Sequence, residues 1–302
     1  MKLLSFGWNV WWRLLRPQTL TASFVPVFIG TALALPYHYF RPELFICMLL
    51  ASILIQSATN MFNEYYDYER GLDDRESQGI GGTIVRDGVS PQAVYRLAIA
   101  CLCIALFLGV YISSQSSWWI LLTGFCCMIV AYLYSGGPYP ISSTPFGELM
   151  SGACMGTGII LIAFFIQTGI IGSLSLMVSV PTSILIGAIL MANNIRDIEG
   201  DKKHGRKTLA ILMGRSLAVT CLAGMFGLAY LWVILLVASG LVPVWALLSL
   251  ISLPKAVRAT SRFREQSASR EPAVKGMIAT AQTNTIFGLA LSAGLFLHYL
   301  LS

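Results

Sequence analysis

Hydrophobic positions in this chain fall into long runs that keep charge out, rather than into the one-sided stripes of a soluble helix or the alternation of a half-buried strand. Windows of about 20 residues, the length that crosses a roughly 30 Å hydrocarbon layer, occupy 18–38, 43–64, 92–113, 117–135, 149–168, 174–194, 216–238, 242–257 and 278–300. Each predicts a transmembrane helix, because backbone polar groups in lipid must pair within their own segment. The expectation is an all-α membrane protein of nine spans. The window 242–257 is the shortest and carries Pro243 and Pro254.

Charge placement tests the count independently, since Lys and Arg collect in cytoplasmic loops. With nine spans, all of the 20 basic residues except Arg41 fall on one side: the N-terminal segment with Lys2, Arg13 and Arg16, and the loops 65–96, 196–215 and 255–275. The N-terminus is therefore expected in the cytoplasm and the C-terminus on the opposite side of the cell membrane. Composition agrees, with 56% hydrophobic and 11% charged residues. The net charge of +6 reads as topology and attraction to anionic membrane lipid, and no nucleic-acid partner is expected. All seven cysteines lie within the windows without a CxxC or Cys/His pattern, as packing or lipid-facing residues. Met1–Pro17 lacks a cleavable signal's small-residue site. Phe6, Trp8, Trp11 and Trp12 with Arg13 and Arg16 predict instead an interfacial amphipathic segment over 1–17. No linker interrupts the chain, so 1–302 is expected to be a single membrane domain.

Two polar clusters break the pattern: Asn60–Asp67 (NMFNEYYD) and Asn193–Asp201 (NNIRDIEGD), at the ends of the second and sixth windows. Four spans separate them, so both return to the same face. The bundle is expected to surround a central cavity that opens to the cytoplasmic face at both clusters. On a helix, Asn60, Asn63, Glu64 and Asp67 fall within an arc of about 100°, and Asn193, Asp197 and Asp201 drift over only about 80°. Stacked carboxylates repel, and a hard divalent cation stabilises them. Oxygen-only ligands favour Mg²⁺, which bridges a few carboxylates to phosphate oxygens. His38, His204 and His298 are isolated, and His204 reads as a solvated surface residue.

Lys202, Lys203, Arg206 and Lys207 follow the second cluster directly, which suits a diphosphate held through metal. A lipid-tailed diphosphate is then the expected substrate class: the metal neutralises the leaving group as an allylic C–O bond ionises, and aromatic rings face the cation. Tyr65, Tyr66, Tyr68, Tyr132, Tyr134 and Tyr139 gather near the mouth, and Tyr134 and Tyr139 join the candidate substrate-binding set. So do Asn63, Asn194 and Arg86, the last among Gly79, Gly81, Gly82 and Gly88 in a loop that can cover the site. The stretch YSGGPYPISSTPFGE is a second such loop. A cation-coupled transporter would place its acids near mid-membrane, whereas these lie at span ends. The long signature of CDP-alcohol phosphotransferases is absent.

The motifs NMFNEYYDYERGLD, GIGGTIVRDG, YSGGPYP…FGE and NNIRDIEGDKKHGRKTLA resemble those of the UbiA superfamily of intramembrane aromatic prenyltransferases, and within it the branch that acts on 1,4-dihydroxy-2-naphthoate. The resemblance implies nine helices and a Mg²⁺-dependent transfer from polyprenyl diphosphate to 1,4-dihydroxy-2-naphthoate, with loss of CO₂, giving demethylmenaquinol for menaquinone synthesis. Related acceptors on such a scaffold are 4-hydroxybenzoate and homogentisate. It also implies Asn60, Glu64 and Asp67 as the first metal–diphosphate motif and Asn193, Asp197 and Asp201 as the second, with Asp67, Asp197 and Asp201 catalytic. Arg196, Lys202 and Arg206 would lie against the diphosphate. The chain departs from the family pattern by carrying Glu64 for Asp and Gly71 where a further Asp is usual, for which Asp73 or Asp74 can substitute.

Overall fold

The computed structural model describes residues 7–37, 39–72, 82–265 and 271–301. Lys2, Phe6, His38, Asp73, Asp74, Gly79 and Gly81, named above, lie outside the described residues. In chain order the helices are α1 (Trp8–Leu15), α2 (Pro17–Ala34), α3 (Pro42–Glu69), α4 (Thr83–Asp87), α5 (Pro91–Gln115) and α6 (Trp118–Ser135). They continue with α7 (Gly147–Thr168), α8 (Ser173–Lys203), α9 (Leu209–Met213), α10 (Arg215–Ala238), α11 (Leu253–Arg264) and α12 (Glu271–Leu301). No strand occurs among the described residues.

Eight of these helices are long and apolar enough to cross a membrane, so the chain is a multi-pass membrane protein. Pro17, Pro42 and Pro91 open α2, α3 and α5 in the first turn, where the missing N–H has no intrahelical partner to lose. The ninth expected segment, 242–257, is helical in two pieces: a 3₁₀ stretch over Val244–Ser252, then α11. Pro254 sits in the first turn of α11, where it cannot continue the donor ladder of a preceding α-helix.

The two helices that carry the acidic clusters run past their apolar windows. α3 continues to Glu69 and α8 to Lys203, so 196–203, expected as loop, is helical and both acidic clusters ride on continuous helices. Inter-helix contacts show that the helices alternate in direction. At one end Arg16, where α2 begins, donates to Asn63 near the end of α3 at 2.7 Å. At the other, the Arg41 backbone N–H donates to Gln167 Oε1 and its guanidinium to the Gln115 carbonyl, both at 2.8 Å. Arg41, the one basic residue expected on the far side, thus lies opposite the acidic clusters.

Helix contact relies on small residues, as it must where lipid supplies no hydrophobic drive between helices. Seven residues of α7, Gly152–Gly158, are wound as a π-helix, a local widening often seen at functional sites. Gly152 and Gly156 on this stretch press against Ser183 of α8; a Cβ on Gly152 would stand 2.5 Å from the Ser183 carbonyl oxygen. Around this contact Val25, Ile29, Leu185, Met191, Leu222 and Phe287 form the buried core of α2, α8, α10 and α12.

Candidate active site

Helices α2, α3, α5, α6, α7 and α8 enclose a cavity of about 300 Å³. Along α3 its lining runs from Asp67 to Met48, roughly 28 Å at the α-helical rise. The two ends differ in chemistry. Met48, Ile55, Ile112, Ile120, Met128 and Ile159 make apolar walls, whereas Asp67, Asp197, Asp201, Arg196 and Arg206 cluster at the mouth.

The mouth is organised by arginines. Arg206 donates through Nη2 to Asp67 Oδ1 and through Nη1 to Asp201 Oδ1, the latter at 3.0 Å, so one guanidinium joins the first acidic cluster to the second. All three side chains are largely buried. Burial opposes the charge on Arg206, but the carboxylates of Asp67 and Asp201 outweigh it and hold the guanidinium above its ordinary range. Arg196 forks onto its neighbour Asp197, with Nε–Oδ1 at 2.8 Å and Nη2–Oδ2 at 2.5 Å. Asn194 donates to Glu148 Oε1 at 2.8 Å, fastening the start of α7 to the second cluster. Asn60 donates to the Leu15 carbonyl and the Thr19 hydroxyl at 2.8 and 2.9 Å, which fixes the entry of α2 against α3.

Of the residues expected from the sequence, the cavity brings together Asn60, Asn63, Asp67, Tyr134, Asn193, Asn194, Arg196, Asp197, Asp201 and Arg206. Glu64, Arg86, Tyr139 and Lys202 are not among the described residues that line it. Glu64 is fully buried and accepts hydrogen bonds from Thr83 and Ile84, so it points to the α4 segment rather than the mouth. Arg86 and Lys202 are exposed on the outer faces of α4 and α8, and Tyr139 is 89% exposed. The tyrosines divide likewise: Tyr66 and Tyr132 share a hydroxyl contact of 2.7 Å and pack edge-on in a cluster with Phe62 and Tyr95, which leaves Tyr134 as the tyrosine at the cavity among the described residues, with the Phe125 ring also on its wall.

The sequence pattern assigns Arg16 to a surface anchor, yet it lines the mouth beside Thr19, Gln56 and Ser142. His204 also reaches the rim while its Nδ1 contacts the Gly200 carbonyl at 2.9 Å, and Cys127 and Cys154 face the cavity rather than lipid. No sequence spacing marks these residues, because their roles come from neighbouring helices.

The donor set at the mouth fits a hard divalent ion. Its carboxylates and amides offer oxygen only, and each of Asp67, Asp197 and Asp201 already pairs with a cation. Among the described residues no three His, Cys, Asp or Glu converge tightly enough to hold a metal by themselves. That matches Mg²⁺ chemistry, in which one or two carboxylates share the ion with water and substrate phosphates.

Comparison with known proteins agrees with this architecture. The chain matches the UbiA prenyltransferase family over residues 23–282. It is 53% identical over 291 residues to the 1,4-dihydroxy-2-naphthoate octaprenyltransferase of Bacillus subtilis (strain 168), covering 96% of this chain and 93% of that protein. Its fold is that of a UbiA homolog from Aeropyrum pernix K1, with a TM-score of 0.67 at 16% identity over 94% of this chain and 98% of that one. A UbiA homolog from Archaeoglobus fulgidus bound to GPP and Mg²⁺ superposes with a TM-score of 0.62 at 17% identity, covering 94% and 99%. With the helical bundle, the paired acidic clusters and the family match in hand, this chain belongs to the UbiA prenyltransferase family.

Proposed function

We propose that this chain transfers a polyprenyl group from polyprenyl diphosphate to 1,4-dihydroxy-2-naphthoate, releasing diphosphate and CO₂ and yielding demethylmenaquinol for menaquinone synthesis. The observation that carries the reading is Arg206 joining Asp67 to Asp201 at the head of an apolar cavity. A charged head belongs at that mouth and a hydrocarbon tail along those walls. The 53% identity to a dihydroxynaphthoate octaprenyltransferase supports the choice of acceptor.

Asp67, Asp197 and Asp201 are the carboxylates placed to hold Mg²⁺, with Asn60, Asn63 and Asn193 beside them. Bound Mg²⁺ supplies neutralisation of the charge that builds on the departing diphosphate. Arg206, Arg196 and Arg16 line the same space and offer charge-assisted donors to phosphate oxygens. Tyr134 presents its ring below them, where cation–π attraction favours an allylic cation. The apolar walls exclude the water that would otherwise capture it. The electron balance needs no protein base: the C–O bond breaks with its pair going to diphosphate, the ring carbon bearing the carboxylate forms the new C–C bond, and the C–CO₂ pair returns to the ring. The positive charge of the loops at the mouth supports a cytoplasmic mouth and N-terminus in the cell membrane, and we take 1–302 as one domain.

The test is acceptor profiling of the purified protein with geranyl and longer prenyl diphosphates and mass detection of product. Prenylated naphthoquinol formation that stops with EDTA and with Asp67→Ala or Asp197→Ala is expected. Activity indifferent to all three, or a preference for 4-hydroxybenzoate or homogentisate, would overturn the reading.

A further inference from the structure

Glu64 belongs to the acidic stripe of α3 but has a different task from its neighbours. Its Oε1 accepts the backbone N–H groups of Thr83 at 2.6 Å and Ile84 at 3.1 Å, and the Thr83 hydroxyl as well. Its Oε2 has no hydrogen-bond partner and stands 3.8 Å from Arg16 Nη2. A carboxylate removed from water is costly unless such partners stay in place.

Those partners connect two parts of the mouth. Arg16 turns its other nitrogen, Nη1, to Asn63 at 2.7 Å and lines the cavity. It is also the one described non-glycine residue with a left-handed backbone, φ 50°, a conformation that needs its surroundings to hold it. On the other side, α4 is tied down a second time, by Arg13 Nη2 donating to both carboxylate oxygens of Asp87 at 2.7 and 2.8 Å. Ile84 and Val89 are buried with Leu14 and Met61.

We propose that Glu64 is a positioning residue, which fixes Arg16 and the 82–89 segment at the diphosphate end of the cavity instead of binding metal. The proposal rests on the prenyl-diphosphate reading above. Arg16 reaches phosphate with a guanidinium that Glu64 helps to hold, and Thr83 is the other half of the device. Loss of either half loosens diphosphate binding without touching the metal carboxylates.

The experiment uses the full chain in detergent with geranyl diphosphate and 1,4-dihydroxy-2-naphthoate, titrating Mg²⁺ for wild type, Glu64→Gln, Thr83→Val, Thr83→Ser and the Glu64→Gln/Thr83→Val pair. Expected for Glu64→Gln and Thr83→Val is a KM for geranyl diphosphate raised about fivefold, the scale of one ordinary net hydrogen bond. Within about twofold, kcat and the Mg²⁺ concentration for half-activation should stay unchanged, Thr83→Ser should behave as wild type, and the double variant should be no worse than the worse single, as for coupled neighbours. A half-activation shifted about tenfold by Glu64→Gln, with Thr83→Val unaffected, would make Glu64 a ligand and end the proposal. So would an unchanged KM in both variants. If Glu64→Gln fails to fold, the Thr83→Val and Thr83→Ser comparison decides alone. Wild-type turnover that survives EDTA would instead discard the prenyl-diphosphate reading itself, and it is visible before any variant is compared.

Discussion

Asp67 and Asp201 take separate arms of one guanidinium, so the end of α3 and the end of α8 are held at a spacing set by the width of the Arg206 fork. A lysine cannot reproduce this, since an ammonium is a point charge without two fixed parallel donors. Arg206→Lys is expected to lower kcat/KM about tenfold. Arg206→Ala, which also removes a donor proposed to meet charge on the leaving group, should lower it about 10²- to 10³-fold. Steady-state kinetics at saturating Mg²⁺ check both, and a lysine variant with wild-type kcat/KM would show that the fork is dispensable.

Metal dependence follows from the oxygen-only donors. Chelation is expected to abolish turnover, with Mg²⁺ restoring it; Zn²⁺ should do so poorly because His204 is a single imidazole at the rim, and no group of three His, Cys, Asp or Glu converges there among the described residues. Asp67→Asn and Asp201→Asn each neutralise one of the carboxylates proposed to hold the ion, and each should raise the Mg²⁺ concentration needed for half-activation by about tenfold or more. Isothermal titration of Mg²⁺ with a non-hydrolysable prenyl diphosphate analogue gives the same comparison without turnover.

The Glu148–Asn194 bond is buried on both sides. Glu148→Ala leaves the Asn194 amide without its acceptor, at an expected cost of about 1–3 kcal/mol. Glu148→Gln keeps a carbonyl oxygen at the same reach and should cost less than half of that. Thermal unfolding midpoints in one detergent rank the two; equal losses would mean that the side chain's bulk, and not its acceptor, holds α7 to α8.

Much of this arrangement was legible in the sequence, and the parts that were not share a cause. Apolar windows located the spans because hydrocarbon demands helices of a set length, and helical spacing put Asn60, Asn63 and Asp67, and Asn193, Asp197 and Asp201, on two stripes that do meet at one cavity. Periodicity resolves a face only to within about 100° of arc. It therefore could not tell that Glu64, at the edge of its stripe, turns to the Thr83 and Ile84 N–H groups. Arg16 was hidden for a related reason: beside Trp11 and Trp12 it looks like an interfacial cation, and its approach to Asn63 depends on how α2 enters. Tyr134 could not be separated from Tyr66 and Tyr132 without knowing which rings pack on one another. The two-piece form of 242–257 was foreshadowed by Pro243 and Pro254, whose effect on a span depends on what packs beside it.

The close approach of α7 to α8 gives a contrast between two glycines. A Cβ on Gly156 would stand 2.8 Å from the Ser183 backbone nitrogen, whereas nothing lies within 4 Å of one on Gly227 in α10. Gly156→Ala should overpack the contact and destabilise by about 1–3 kcal/mol. Gly227→Ala should be neutral or stabilise by up to about 1 kcal/mol through helix propensity. Both are read as shifts in thermal midpoint, and a tolerated Gly156→Ala would mean that the π-helical stretch relaxes more freely than its packing implies.

Prenyl chain length offers a test of how the apolar part of the cavity is used. Ala131, on α6, and Ala51, on α3, both line the wall and are nearly buried. Ala131 lies one turn from Tyr134, close to the reacting end, while Ala51 is roughly 24 Å of helix below Asp67. A phenyl ring at each position should therefore act on different substrates. Ala131→Phe blocks the space just below the mouth and should depress transfer from geranyl and longer prenyl diphosphates alike. Ala51→Phe leaves room for a short tail and obstructs only the deep end, so it should lower kcat/KM for a long-chain donor about tenfold relative to geranyl diphosphate, the scale of losing one or two buried methylene contacts. Competition between donors of two lengths in one vessel, with products resolved by mass, measures that ratio directly. An unchanged ratio for Ala51→Phe would mean that the tail leaves the cavity before it reaches Ala51, and that the deep walls contribute to packing rather than to substrate choice.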